Sequence, residues 1–275
     1  MKIALMDSGI GLLAAAAAVR RLRPDADLVL SSDPDGMPWG PRTPEDLTRR
    51  ALAVAEAAAA HGADALVVAC NTASVHALPA LRARLEPSLP VIGTVPAIKP
   101  AAAAGAPFAI WATPATTGSA YQRALITEFA AGAEVTAVPC PGLADAIESA
   151  DADAVARAVA AAADRTPDGV GAVVLGCTHY ELVAEQVRTA LARRAAVTAG
   201  PVTAPASPGR PALLLHGSAG AVAAQALRRI GAAPDPTAAP VGSVTVLHGG
   251  RPGRLTERAL SYPEGRLLAA AYQAR

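Results

Sequence analysis

Two cysteines stand within similar phrases, LVVACNTAS over Leu66–Ser74 and AVVLGCTHYE over Ala172–Glu181. In each, an apolar run of strand length delivers a thiol, and then a threonine, into what reads as the start of a helix. A thiol placed there feels the positive potential of a helix N-terminus, which favours the thiolate, the form that acts as base or nucleophile. Either cysteine alone is also readable as a small buried hydrophobe. Their neighbours argue otherwise: Asn71, Thr72 and Ser74 follow Cys70, and Thr178 and His179 follow Cys177, where a buried cysteine would favour apolar company. Cys140, in VPCPGL, has no such company and reads as structural.

The opening MDSGIG carries a second kind of chemistry: a strand ending in Asp7 and Ser8 runs into a glycine turn and then a helix. Gly9, Gly11 and Ala14 fit the dinucleotide pattern GxGxxA, with Asp33 following at the end of a second strand candidate. In that reading Asp7 lies beside a pyrophosphate, where its charge repels the ligand. A carboxylate at this strand end is more useful as the partner of a thiol, but the nucleotide reading stays open on these residues alone.

Positioning such groups requires strands that end on a common edge. Short β-branched runs alternate with alanine-rich stretches, the pattern of a parallel sheet flanked by helices. Strands are predicted over Lys2–Met6, Asp27–Ser31, Ala65–Ala69, Pro90–Gly93, Phe108–Ala112, Glu134–Val138 and Gly171–Leu175. Helices are predicted over Leu13–Leu22, Pro44–His61, Ser74–Leu85, Ser119–Phe129, Asp151–Asp164, Glu181–Arg193 and Ala219–Ile230. Residues 196–211, rich in Pro, Ala, Gly and Thr, read as a linker or surface loop. Ligands of open α/β sheets bind at the carboxyl ends of strands, so two such ends with like chemistry predict two halves facing one cleft. Residues 1–93 with 202–275 are expected to form one domain and residues 94–201 the other.

Composition narrows the partner. The 275 residues are 52% apolar and only 3% aromatic, enough for an aliphatic core but offering no stacking platform for bases. Twenty-four basic against 23 acidic side chains leave a net charge of +1, which argues against nucleic acid or an anionic membrane and for a small molecule. The first apolar run has four residues before Asp7, too short for a signal peptide or membrane span, so a cytoplasmic protein is expected. Three cysteines without a CxxC indicate neither a disulfide framework nor a cysteine zinc site. His61, His76 and His248 are isolated and show no metal-ligand spacing, so no metal is expected.

Taken in order and spacing, DSGIG, PWG, ACNTAS, TPATTGS and GCTHY resemble the glutamate racemases of the aspartate/glutamate racemase superfamily. The resemblance spans essentially the whole chain. It implies an α/β fold of two pseudosymmetric domains, each a mainly parallel sheet flanked by helices, with the active site in the interdomain cleft. It also implies interconversion of L- and D-glutamate with no cofactor and no metal, a supply of D-glutamate for peptidoglycan, and a possible homodimer. Catalytic thiols fall by this resemblance on Cys70 and Cys177, assisted by Asp7 and His179. Substrate contacts fall on Asp7, Ser8, Pro38, Trp39, Gly40, Asn71, Thr72, Thr113, Thr116, Cys177, Thr178 and His179. Cys70 with Asp7 is expected to act on the D-isomer, and Cys177 with His179 on the L-isomer.

The chemistry suits these groups. Inversion at Cα without a carbonyl cofactor needs a base on one face and an acid on the other, and a cysteine serves as either. Hydroxyl, amide and backbone N–H donors can hold the carboxylates without an arginine clamp. The chain departs from the family at four places: Trp39 replaces a tyrosine, Gly36 an arginine, Leu12 a glycine, and LLLHGSAG around His216 an Asp-Ser-Gly phrase. The first two touch the substrate end and leave another acid, such as aspartate, as the alternative substrate. A nucleotide-dependent enzyme or a nonenzymatic binding protein is the remaining alternative.

Overall fold

The computed structural model describes residues 1–198 and 213–270. The chain forms two compact units, Met1–Val95 with Glu148–Ala150 and Ser218–Arg275, and Pro96–Ile147 with Asp151–Gly217. The expected boundary near 202 and most of the expected linker fall outside the described residues. Ala196–Thr198, at the linker's start, instead continue a helix that spans Ala184–Thr198.

The first unit holds a six-stranded sheet. Its strands are β1 (Lys2–Asp7), β2 (Asp27–Ser32), β3 (Ala65–Val68), β4 (Val91–Gly93), β9 (Val244–His248) and β10 (Arg251–Gly253), in the order β10-β9-β2-β1-β3-β4. All neighbours are parallel except β10, which returns antiparallel on β9. The second unit holds β5 (Phe108–Ala112), β6 (Val135–Pro139), β7 (Ala172–Leu175) and β8 (Leu214–His216), all parallel, in the order β6-β5-β7-β8. Strands covered on both faces read as continuous apolar runs, and Ile3, Ala4, Leu5 and Met6 of β1 are all fully buried.

Alternate residues of these strands pack on opposite layers. Ala4, Met6, Val29, Leu66 and Val68 share one core with Leu47, Ala51, Val54, Ala55 and Ala58 of the helix Pro44–Ala59. Three alanines on that helix face let it lie close to the sheet, at the cost of less apolar area per residue than leucines would bury. Thr43 starts the helix by accepting the Asp46 N–H, with Pro44 at the first position and Glu45 and Asp46 in the first turn.

The predicted helix Ser74–Leu85 is two helices, Asn71–His76 and Leu78–Leu85. Pro79 causes the break, since it lacks an N–H and its ring conflicts with the carbonyl four residues earlier. The segment predicted as one helix from Glu181 begins with a 3-10 helix over Thr178–Val183 before the α-helix from Ala184. Among the described residues no helix is long and apolar enough to cross a membrane.

Parallel strands put their carboxyl ends on one edge, and the chemistry collects there. In the first unit Asp7 ends β1 level with Ser32, and Ala69 donates to the Met6 carbonyl (2.9 Å), so Cys70 lies one residue beyond. In the second unit β5 leads into Thr113 and β7 into Gly176 and Cys177.

Candidate active site

Asp7 is fully buried, and Ser8, Cys70 and Asn71 are buried with small remaining exposures of 7%, 7% and 5%. Ser8 Oγ lies 3.5 Å from Asp7 Oδ1. Cys70 keeps an extended backbone and its carbonyl accepts the Ser74 N–H (2.9 Å), which closes the first turn of the helix Asn71–His76. The strand end that carries Cys70 is fixed from behind. The Val68 carbonyl accepts from Thr94 Oγ1 (2.7 Å) and Ser74 Oγ (3.3 Å), and Ser74 Oγ in turn accepts the Thr94 N–H (2.8 Å). Thr94 escaped the sequence reading; its signal is a buried hydroxyl one residue past Gly93, which pairs with Val68.

The PWG segment divides its labour. Trp39 is 1% exposed and belongs to the core of the first unit, with its indole N–H donated to Asp33 Oδ2 (3.0 Å). A contact from Trp39 to substrate would therefore come from its backbone, while Pro38 is exposed and Gly40 half-buried. Beside it, Gly36 has no room for a side chain: a Cβ would collide with the Asp33 carboxylate and the Arg50 guanidinium.

The glycine turn after Asp7 is also occupied. The Ile10 N–H donates to Glu148 Oε2 (2.8 Å), and a Cβ on Gly9 would collide with that carboxylate. A pyrophosphate would need this N–H and would meet Glu148 in addition to Asp7. Asp33, the acid that a ribose would require, already accepts from Gly36 N–H (3.1 Å), Trp39 Nε1 and Arg50 (3.2 Å). These contacts weigh against the nucleotide reading, and calorimetry with NAD, FAD or ATP at millimolar concentration is expected to give no saturable binding. Saturation in the micromolar range would restore that reading.

In the second unit Cys177 is half-buried and extended, with Sγ 3.9 Å from His179 Nδ1. Thr178 and His179 are buried at its side. Gly176 is required by close approach: its N–H donates to the Trp111 carbonyl (2.8 Å), and a Cβ would lie 2.8 Å from that same oxygen and 3.3 Å from Ile110 Cγ2. Trp111 is itself fully buried and donates its indole N–H to Thr166 Oγ1 (2.9 Å).

Thr113 and Thr116 show the turn chemistry open to such residues and retain capacity beyond it. Their hydroxyls lie 3.1 Å apart, and the Thr116 and Thr117 N–H groups donate to the Thr113 carbonyl (3.0 and 2.9 Å). One hydroxyl donating to the other leaves one O–H to offer. Among the described residues no group of three or more His, Cys, Asp or Glu side chains is arranged to hold a metal.

Cys140 differs from the other two thiols. It is 1% exposed, its Sγ lies 3.5 Å from the Val138 carbonyl, and its own carbonyl accepts from Tyr180 Oη (3.4 Å). Burial, with a smaller contribution from the neighbouring Cys177, pushes its pKa up to about 12. At pH 8 only about one molecule in ten thousand then carries the thiolate. A thiol reagent is thus expected to modify at most two cysteines in the native protein and all three after denaturation; native labelling of Cys140 would contradict its structural role.

Each unit thus brings its own share of the sequence-identified groups to one sheet edge. Asp7, Ser8, Cys70, Asn71 and Thr72 gather in the first, and Thr113, Thr116, Cys177, Thr178 and His179 in the second.

Known proteins resemble this chain over much of its length. Residues 11–204 match the Asp/Glu/Hydantoin racemase family. The chain is 40% identical over 191 residues to a glutamate racemase of Roseiflexus sp. (strain RS-1), a match covering 68% of this chain and 70% of that protein. It is 39% identical over 183 residues to a glutamate racemase of Pseudomonas putida (strain W619), covering 65% and 69%. Among solved structures, Escherichia coli glutamate racemase in complex with L-glutamate and the activator UDP-MurNAc-Ala superposes with a TM-score of 0.72 at 26% identity, covering 99% of this chain and 94% of that one.

Proposed function

The chain belongs to the Asp/Glu/hydantoin racemase family and is an amino-acid racemase; from that premise we propose that it interconverts L- and D-glutamate by proton exchange at Cα between Cys70 and Cys177, without a cofactor. The observation that carries the reading is the repeated device itself. Two residues past the end of a parallel strand, once in each unit, stands an extended cysteine ahead of a helical turn, and His179 lies beside the second of them. Likeness to the Roseiflexus and Pseudomonas enzymes supports glutamate as the substrate.

In the forward direction the Cys177 thiolate removes the α-proton of L-glutamate, and the Cys70 thiol delivers a proton to the opposite face. The reverse reaction exchanges the roles. His179, 3.9 Å from the Cys177 sulfur, takes up or returns the proton that leaves that thiol, and Asp7 serves Cys70 in the same way. Ser8, Asn71, Thr72, Thr113, Thr116 and Thr178 supply neutral donors for the two substrate carboxylates, and the Pro38–Gly40 backbone borders them. We assign the protein to the cytoplasm, as a source of D-glutamate for peptidoglycan.

Trp39 and Gly36 make aspartate the competitor to test. Chiral chromatography of the purified protein in cofactor-free buffer is expected to show either glutamate enantiomer converging on a racemate, with aspartate and glutamine much slower. Faster turnover of aspartate would overturn the substrate and leave the two-thiol chemistry standing.

A further inference from the structure

Gly36 sits inside a closed ring of polar contacts. Its N–H donates to Asp33 Oδ1 (3.1 Å), and Asp33 Oδ2 accepts from Arg50 (3.2 Å). Arg50 Nε reaches Asp46 Oδ2 (3.4 Å), which also accepts from Arg42 (2.7 Å), and Arg42 Nε returns to the Gly36 carbonyl. Two further bonds tie the ring to the PWG segment. Trp39 Nε1 donates to Asp33, and the Arg42 N–H donates to the Trp39 carbonyl (3.1 Å).

From this geometry we infer that Arg42 and Arg50 are positioning residues, which hold the Pro38–Gly40 backbone in its substrate-binding conformation through Asp33 and Gly36. The inference rests on the reading of Pro38–Gly40 as a substrate segment. The ring is suited to the task for three reasons. Its ion pairs are shielded, with side-chain exposures of 9% for Asp33, 30% for Arg50, 26% for Arg42 and 25% for Asp46, so salt screens them less than surface pairs. Both arginines use two nitrogens at once, a planar fork that a lysine does not possess. Arg42 above all, helped by Arg49 and Arg50, holds the Asp46 carboxyl down at about 2, so Asp46 stays ionised at any pH where thiol chemistry operates. Asp46 is also fixed from below, since its own N–H is held by the Thr43 hydroxyl at the helix start.

A ring opens fully when broken once, and this makes the inference testable by steady-state kinetics on glutamate. Arg42→Ala and Arg50→Ala are each expected to raise KM about tenfold with kcat within about twofold, the signature of lost substrate positioning rather than lost chemistry. The double variant is expected to be no worse than the poorer single one. Arg84→Ala, which removes the exposed pair between Arg84 on the helix Leu78–Leu85 and Glu56 on the helix that carries Arg50, is the control and keeps the wild-type KM. Arg50→Lys keeps charge and fold and is expected to share part of the KM rise.

Unchanged KM in both alanine variants, a wild-type KM in Arg50→Lys, or a double variant near a hundredfold would overturn the inference. Wild-type protein inert towards glutamate would instead overturn the substrate reading. The ring would then be judged from melting temperatures, where a double-variant shift equal to the larger single shift supports it and the sum of the two refutes it.

Discussion

Under the proposed two-thiol mechanism, replacing either Cys70 or Cys177 by serine is expected to lower glutamate racemisation by about a thousandfold or more, because a serine hydroxyl at neutral pH is neither an adequate base nor an adequate acid for an α-proton. The loss in racemisation need not extend to proton removal, since each variant keeps one thiol. A substrate bearing a leaving group on Cβ separates the two events, as elimination needs a base on only one face. Cys70→Ser is expected to eliminate from the L-form and Cys177→Ser from the D-form. Elimination of equal handedness in both variants would undo the assignment of faces. Racemisation near the wild-type rate in either would remove the two-base mechanism.

Gly176→Ala is expected to cost about a hundredfold in kcat without unfolding the protein. The new Cβ would lie 2.8 Å from the Trp111 carbonyl, a backbone oxygen that cannot retreat. Trp111 pairs with Leu175 across β5 and β7, is fully buried, and is held at its indole by Thr166. The end of β7 must shift instead, and Cys177 is the next residue. A displacement of about 1 Å at a catalytic group costs on the order of a hundredfold, whereas the packing strain itself costs about 1–3 kcal/mol of stability. Gly220→Ala, at a helical site with nothing within 4 Å, is the matched control and should leave kcat unchanged. A Gly176→Ala enzyme within twofold of wild type would show that this close approach does not position the thiol.

Legibility of the fold followed the density of apolar β-branched residues. The strands from β1 to β7 announce themselves as runs such as ALVV and AVVL, where burial on both faces leaves no polar interruption. The last three do not. Leu214–His216 is three residues long and follows a proline-rich stretch, Arg251–Gly253 carries a proline on an edge strand, and Val244–His248 sits among turn residues with no helix directly before it. The short helices Ile98–Ala103, Leu143–Ser149, Glu257–Leu260 and Pro263–Ala270 were equally silent, because one or two turns cannot establish a period.

For the candidate site the same logic divides what sequence displays from what folding adds. Asp7, Cys70 and Cys177 are legible because each lies within two residues of a recognisable strand end, and His179 because it follows Cys177 by two residues. Glu148 is not, since its contact to the Ile10 N–H crosses 138 residues. Nor is the contact of Arg50 with Asp33, which runs from the helix Pro44–Ala59 to the segment after β2. The indole of Trp39 taught the opposite lesson, as a residue identified with substrate turned its side chain into the core.

The measurement closest to the central claim is the isotopic fate of Cα when L-glutamate is racemised in deuterium oxide, read by mass spectrometry or proton NMR at early conversion. With one thiol on each face, the proton removed and the proton delivered belong to different sulfurs. Newly formed D-glutamate should therefore carry deuterium from the first turnovers, while recovered L-glutamate stays protiated. Protium retained in the product, or L-glutamate that gains deuterium as fast as D-glutamate forms, would mean a single base serving both faces and would contradict the roles given to Cys70 and Cys177.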